Sequence, residues 1–308
     1  MADDRGAPAP HRAPSRARLH GLLGLMLLIW AANFVFAKLA VRDAPPLVVA
    51  CIRTVLSGIV MLPVYRLARP GADPALRRWT RRDLPRLALV GILGIVANQF
   101  AFVAALSFTT VAHGAVIGAI APVLVLLGAA ALGHERLSRR RLAGMVAAAG
   151  GVAILQLARA PAGQGASVLG DLLMLGNAAL FAAFSLFGKS LTAEVGTLAV
   201  NAVAYWGGAI LSLPFAVWGL WALGGPGRIG AAAWVSIVYM SIAPSVVGYL
   251  IYSHALRYLP ASRVASVTYL QPILATLLAV ALLGERPGLV YVAGAAVILG
   301  GVWLVQRE

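Results

Sequence analysis

Apolar residues run along this chain in blocks of about 20, separated by short polar stretches. A helix of that length, at about 1.5 Å per residue, crosses the roughly 30 Å hydrocarbon core of a bilayer. The blocks predict ten helices, at about 21–41, 46–67, 85–107, 112–133, 140–158, 168–189, 197–220, 231–253, 262–283 and 288–306. A chain hydrophobic on every helical face needs lipid or a very large core around it. The pattern therefore predicts an all-α integral membrane protein with ten transmembrane helices. Residues 1–19 are largely polar, with Pro, Ala and four arginines, and suit a disordered cytoplasmic tail. A basic stretch ahead of an apolar block also begins a signal peptide, but this block is longer than a typical signal core. Losing it would also break the repeat described below. The longest loop, 68–84, carries five arginines and is too short to be a domain.

Composition agrees with the pattern. Hydrophobic residues make up 61% of the 308, charged residues only 11%, and mean hydropathy is +0.88. A soluble domain carries about 25% charged residues. The net charge of +15 would suggest nucleic acid in a soluble protein. Here Lys and Arg cluster in the short loops, where they act as topology signals, so the partners expected are membrane lipid and no nucleic acid. The one cysteine, Cys51, lies inside an apolar block, which excludes an internal disulfide and makes a metal cluster a poor reading. Gly188-Lys189-Ser190 has the ending of a phosphate-binding loop, but Ala183 stands where the loop needs Gly, and Lys189 reads as a helix-end anchor. No zinc-protease or serine-hydrolase motif is present. The expectation is a protein that is not an enzyme and uses no cofactor.

The chain overlays itself at an offset of 150 residues. Pro122 meets Pro272, Glu135-Arg136 meets Glu285-Arg286, Ala143-Gly144 meets Ala293-Gly294, and Gly150-Gly151-Val152 meets Gly300-Gly301-Val302. About a third of positions between 105 and 156 are identical without a gap. At an offset of 151, Trp30 falls on Phe181 and Lys38 on Lys189. The repeats span 20–158 and 168–306, five helices each. An odd number of crossings forces the second repeat into the membrane upside down, an architecture of secondary transporters with the site at the midplane between repeats. The charges test this count. With the N-terminus in the cytoplasm, about 19 of the 25 Lys and Arg fall on the cytoplasmic side, five fall outside, and Arg53 is left within a helix. That asymmetry places both termini in the cytoplasm of a cell-membrane protein.

These residues resemble the drug/metabolite transporter superfamily, of the EamA type. Trp30-Ala31-Ala32-Asn33-Phe34 is similar to that family's Trp-Gly-x-Asn-Phe pattern, with Ala31 in place of the usual Gly. Pro122 followed by Glu135, and Pro272 followed by Glu285, are similar to its paired Pro-to-Glu signature, and the fifth and tenth helices are Gly-rich. The resemblance covers roughly 20–306. It implies ten helices, a central cavity between the halves, and transport, often export, of amino acids, other metabolites or drugs.

Polar residues inside hydrocarbon are costly unless paired and are default site candidates. Near the midplane lie Trp30, Asn33, Asn98, Gln99, Phe181, Ser185 and Gln271; Tyr249 and Tyr269 lie nearer the cytoplasmic helix ends. Aromatic walls with a few amides suit a small organic solute. The bland alternative is that each amide only ties two helices together. Pro122 and Pro272 interrupt matched helices and point to the cavity lining. Arg53 either binds an anionic group or snorkels to the interface, the second being preferred. Glu135 and Glu285 read as interfacial structure or gate elements, Asp171 as a helix-start charge, and His113 and His254 as interfacial histidines. A charge in the cavity is expected to be avoided, with the solute held by stacking and amide hydrogen bonds. The rival readings are a membrane-embedded enzyme acting on lipid, and a channel.

Overall fold

A computed structural model describes residues 15–68, 76, 78–133, 137–157 and 167–306. These residues form ten helical spans and, among the described residues, no strand. The first repeat comprises α1 (Arg16–Asp43), α2 (Pro46–Leu67), α3 (Arg81–Phe108), α4 (Val111–Ala131) and α5 (Arg139–Leu157). The second comprises α6 (Val168–Val195), α7 (Thr197–Ala222), α8 (Ala231–Tyr258), α9 (261–283) and α10 (Leu289–Gln306). Seven of them are long and apolar enough to cross a membrane on their own. Starts are marked by hydroxyl caps: Ser15 on the Arg18 amide, Thr110 on His113 and Ser167 on Gly170, at 3.0–3.3 Å.

Most boundaries fall within a few residues of those predicted. Three run five or six residues further: α1 starts at Arg16, α6 ends at Val195 and α8 ends at Tyr258. Hydropathy marks where lipid ends, whereas a helix continues wherever its backbone bonds remain the best available partners. Of the expected tail, residues 1–14 lie outside those described, and 16–19 are already helical in α1.

The two repeats embrace each other in a symmetric way. Helix α1 packs on α8 and α9, and its counterpart α6 packs on α3 and α4; α2 pairs with α7, and α5 with α10. Small residues let the last pair close. A Cβ at Gly151 would meet Gly294 O at 2.9 Å, and one at Gly301 would meet Gly144 O at 2.5 Å. These four glycines are the matched positions of the repeat, and close backbone approach is how helices associate without a hydrophobic drive between them. Outward-facing side chains are apolar, among them Ile210, Val217, Trp221 and Leu277. Asn33, Arg53, Asn98, Gln99 and Ser245 are buried instead. That distribution suits lipid outside and polar contacts within.

A matched pair of lysines joins helix ends. Lys38 Nζ donates to Leu106 O and Thr109 O, closing the end of α3 at 2.8 and 2.7 Å. Lys189 Nζ donates to Leu256 O and Leu259 O, closing the end of α8 at 2.9 and 2.6 Å. An ammonium on terminal carbonyls satisfies orphan acceptors and complements the helix dipole. Lys189 thus anchors a helix end, though the end belongs to α8 and its own helix runs on.

Candidate functional site: a cavity between the repeats

Two helices depart from α-geometry at equivalent places. Helix α3 is π-helical over Ile92–Ala97, and α8 over Ser241–Gly248. Such widenings redirect carbonyls away from their own helix and are frequent at functional sites. In α8 the cause is local. Pro244 has no amide to offer Met240 O, four residues earlier, and the Ser245 hydroxyl takes that carbonyl at 2.7 Å.

Carbonyls of both stretches are used across the repeats. Trp30 Nε1, from the first repeat, donates to Pro244 O of the second at 3.1 Å. The Tyr249 hydroxyl, from the second repeat, lies 2.9 Å from Gly94 O of the first, and 3.0 Å from Asn98 Oδ1. Residues 94 and 244 are the same position of the repeat. Each offers its carbonyl to an aromatic side chain of the other half. Around these bonds Trp30 sets its ring edge-on to Phe181 and Tyr249, with centroids 5.6 and 5.7 Å apart.

A cavity of about 90 Å³ opens at this crossing. Of the expected residues, Trp30, Asn33, Asn98, Gln99, Phe181, Tyr249 and Gln271 all line it. Tyr249 was placed nearer a helix end because α8 was expected to stop short of Tyr258. Ser185 does not line it: its hydroxyl bonds Phe181 O and lies 2.7 Å from the Tyr252 hydroxyl, behind the wall. The Tyr269 side chain and Glu135 lie outside the described residues.

Pro122 and Pro272 break their helices but do not themselves face the cavity. Helix α4 is interrupted between Gly118 and Ala121; α9 consists of Ala261–Ser266, a 3-10 turn over Val267–Leu270, and Gln271–Leu283. Each proline occupies the first turn of the segment after the break. The lining comes from the break itself: Gly118 and Ala121 in one half, Thr268 and Gln271 in the other, again matched positions.

Arg53 departs most from expectation. It does not snorkel. Its side chain is 3% exposed, lines the cavity, and donates from Nε to Ser245 Oγ at 3.0 Å. Its Nη1 is buried without a hydrogen-bond partner. The cavity was expected to avoid charge, yet it contains a guanidinium. Near it Gln99 Nε2 donates to the Tyr205 hydroxyl at 3.1 Å, and that hydroxyl donates to Ser245 O at 2.7 Å. Asn98 and Asn177 bond each other's backbone carbonyls reciprocally at 2.9 Å. Asn98 therefore ties helices together as well as facing the cavity. Sequence reasoning missed Asn177, Thr268, Pro244, Phe34 and Phe102. Pro244 carried a readable signal, a proline inside an apolar block. Asn177 is also readable, as an intramembrane amide of the same kind as Asn98.

Glu285 is a structural carboxylate in this conformation. Its oxygens accept from the Val111 and Ala112 amides at 2.8 and 3.0 Å, capping the start of α4. At the start of α6 the capping side chain is Ser167, not Asp171. Asp171 is buried with Oδ2 3.8 Å from His113 Nε2, and His113 is buried as well, so neither is an exposed interfacial group. His254 is half-buried against Tyr258 near the end of α8.

Comparison with known proteins places this architecture. The model of the EamA-like transporter family matches residues 20–157 and again 168–307. A "probable amino-acid metabolite efflux pump" of Escherichia coli is 30% identical, with 94% of this chain and 95% of that protein covered. An "uncharacterized transporter" of Archaeoglobus fulgidus is 28% identical over 95% and 98%. A "probable terminal-alkyne amino-acid exporter" of Streptantibioticus cattleyicolor is 29% identical over 79% and 80%. A protein crystal structure covers 95% of this chain and 98% of its own with a TM-score of 0.67; at 22% identity it supports the fold alone. With a family match over both halves, ten helices in two inverted five-helix repeats and a polar cavity where they cross, the chain belongs to the EamA-like transporters, within the drug/metabolite transporter superfamily.

Proposed function

We propose that this transporter exports small organic metabolites of the amino-acid kind across the cell membrane, by alternating access around the cavity between its repeats. The observation that carries the reading is the crossed construction of that cavity. Matched breaks from both halves line one pocket, and matched carbonyls hold Trp30 and Tyr249 in its wall, with Trp30, Asn33, Asn98, Gln99, Phe181, Tyr249 and Gln271 around the solute. Two inverted halves of like structure can exchange conformations, and the crossing is the region common to both open states. The relatives described as amino-acid exporters support the direction and the solute class. The repeats are taken as 20–158 and 168–306, with both termini cytoplasmic.

Flux into proteoliposomes tests this. Purified protein should catalyse saturable uptake of one or more labelled amino acids or their derivatives, accelerated by unlabelled solute on the opposite side. Flux that rises linearly without saturation would mark a channel. Chemical conversion of the solute or of the lipid would mark an enzyme.

A further inference from the structure

We propose that Arg53 is the anion-binding residue of the cavity, and that the solute carries a carboxylate that completes its coordination. The inference rests on the reading above, that this cavity holds the solute, and names the group by which it is recognised.

Arg53 stands seven residues into α2, about 10 Å along the helix from its start. A guanidinium at that depth would normally turn its long side chain toward the interface. Here it is turned inward and held. Ser245, itself fixed by its bond to Met240 O, accepts from Nε, and Gln99 lies against the same hydroxyl at 3.4 Å. The residue is 3% exposed, Nη1 has no hydrogen-bond partner, and among the described residues no Asp or Glu lines the cavity. Arg53 is also the one cation among the described lining residues. An intramembrane cation without a paired carboxylate costs heavily, and such a group marks a functional site.

What would satisfy it follows from its chemistry. The guanidinium is planar and fork-shaped, and a carboxylate matches that shape with two parallel hydrogen bonds. A single guanidinium balances a single negative charge, so a phosphate dianion would bring one charge too many. The rest of the wall describes the rest of the solute. Asn33 Oδ1 is a buried acceptor without a partner, available to an N–H or O–H donor. Trp30, Phe34, Phe102 and Phe181 supply faces for an apolar body.

Thermal stabilisation of the purified full-length protein reads the binding. The probes are matched pairs of carboxylate and amide: L-leucine, L-phenylalanine and N-acetyl-L-phenylalanine against their carboxamides. At least one carboxylate should raise the melting temperature, with its amide at least tenfold weaker in the midpoint of that effect. Arg53→Gln should abolish the carboxylate effect, and Arg53→Lys should retain a weakened one. The wild-type comparison needs no variant, so the proposal is still tested if Arg53→Gln fails to fold. It is overturned if amides stabilise as well as carboxylates, if Arg53→Gln keeps the response, or if no carboxylate stabilises the protein. Flux of the same probes in proteoliposomes separates the two readings. Binding of carboxylates without flux would overturn the transport reading and leave the anion site. Flux of amides as fast as carboxylates, unchanged by Arg53→Gln, would overturn the anion site and leave transport.

Discussion

Trp30 shows how much one side chain joins. Its indole N–H bonds the Pro244 carbonyl in the π-helical stretch of α8, and its ring packs on Phe181, Tyr249 and Tyr252 from the other repeat. Trp30→Phe keeps a ring in place but leaves Pro244 O without its donor. An unsatisfied buried acceptor costs about 1–3 kcal/mol. The expected result is a lowered melting temperature together with weaker solute stabilisation, both read in one thermal-shift titration. An unchanged melting temperature would mean that this bond is not a structural tie. That Trp30, Asn33, Asn98, Gln99, Phe181 and Gln271 belong to one region was legible in the sequence. Polar and aromatic groups at a common depth in apolar blocks are visible one residue at a time. The direction of Arg53 was not, because its side chain can reach either the interface or the interior. The choice is made by Ser245, 192 positions away.

At the scale of the element, the broken helices matter more than the prolines that break them. In α4 and α9 the missing amide of Pro122 or Pro272 ends the first segment, and the residues at the break face the cavity. Alanine at either position restores a donor to the carbonyl of Gly118 or Thr268. The helix should then run through and turn Ala121 or Gln271 away. Pro122→Ala and Pro272→Ala are expected to fold with unchanged or higher melting temperature. Their flux should fall by about tenfold, equivalent to about 1.4 kcal/mol on the rate-limiting step. Normal flux at normal expression in both variants would show that the breaks are inherited kinks without a part in transport. The repeat displayed these two breaks because proline is visible in sequence. It hid the other matched pair, the π-helical stretches of α3 and α8, because in α3 no residue announces one. At the position of Pro244 the first repeat carries Gly94.

Over the whole molecule, the inverted halves leave one question to the charges, which is which face meets the cytoplasm. Arg78 lies in the polar connection before α3 and is exposed. In a Cys51→Ser background, Arg78→Cys should resist an impermeant thiol reagent in intact cells and react once the membrane is opened. Labelling in intact cells would reverse the orientation, and with it the assignment of the arginine-rich face to the inside. Replacing Cys51 is needed for a clean background, although the residue is buried between helices.

Sequence by itself determined the number of helices, the repeat, its inversion and the depth of most of the polar residues that line the cavity. Those properties are local: hydropathy is a property of a stretch, and the repeat is a comparison of the chain with itself. Only the tertiary structure decided which polar groups meet. The bonds that build the cavity join residues far apart in the chain: Trp30 to Pro244, Arg53 to Ser245, Gln99 to Tyr205, and Tyr249 to Gly94. No periodicity or spacing records such pairs. They exist because lipid cannot satisfy a polar group, so one buried between the repeats is stabilised by a partner on whichever helix the packing brings beside it.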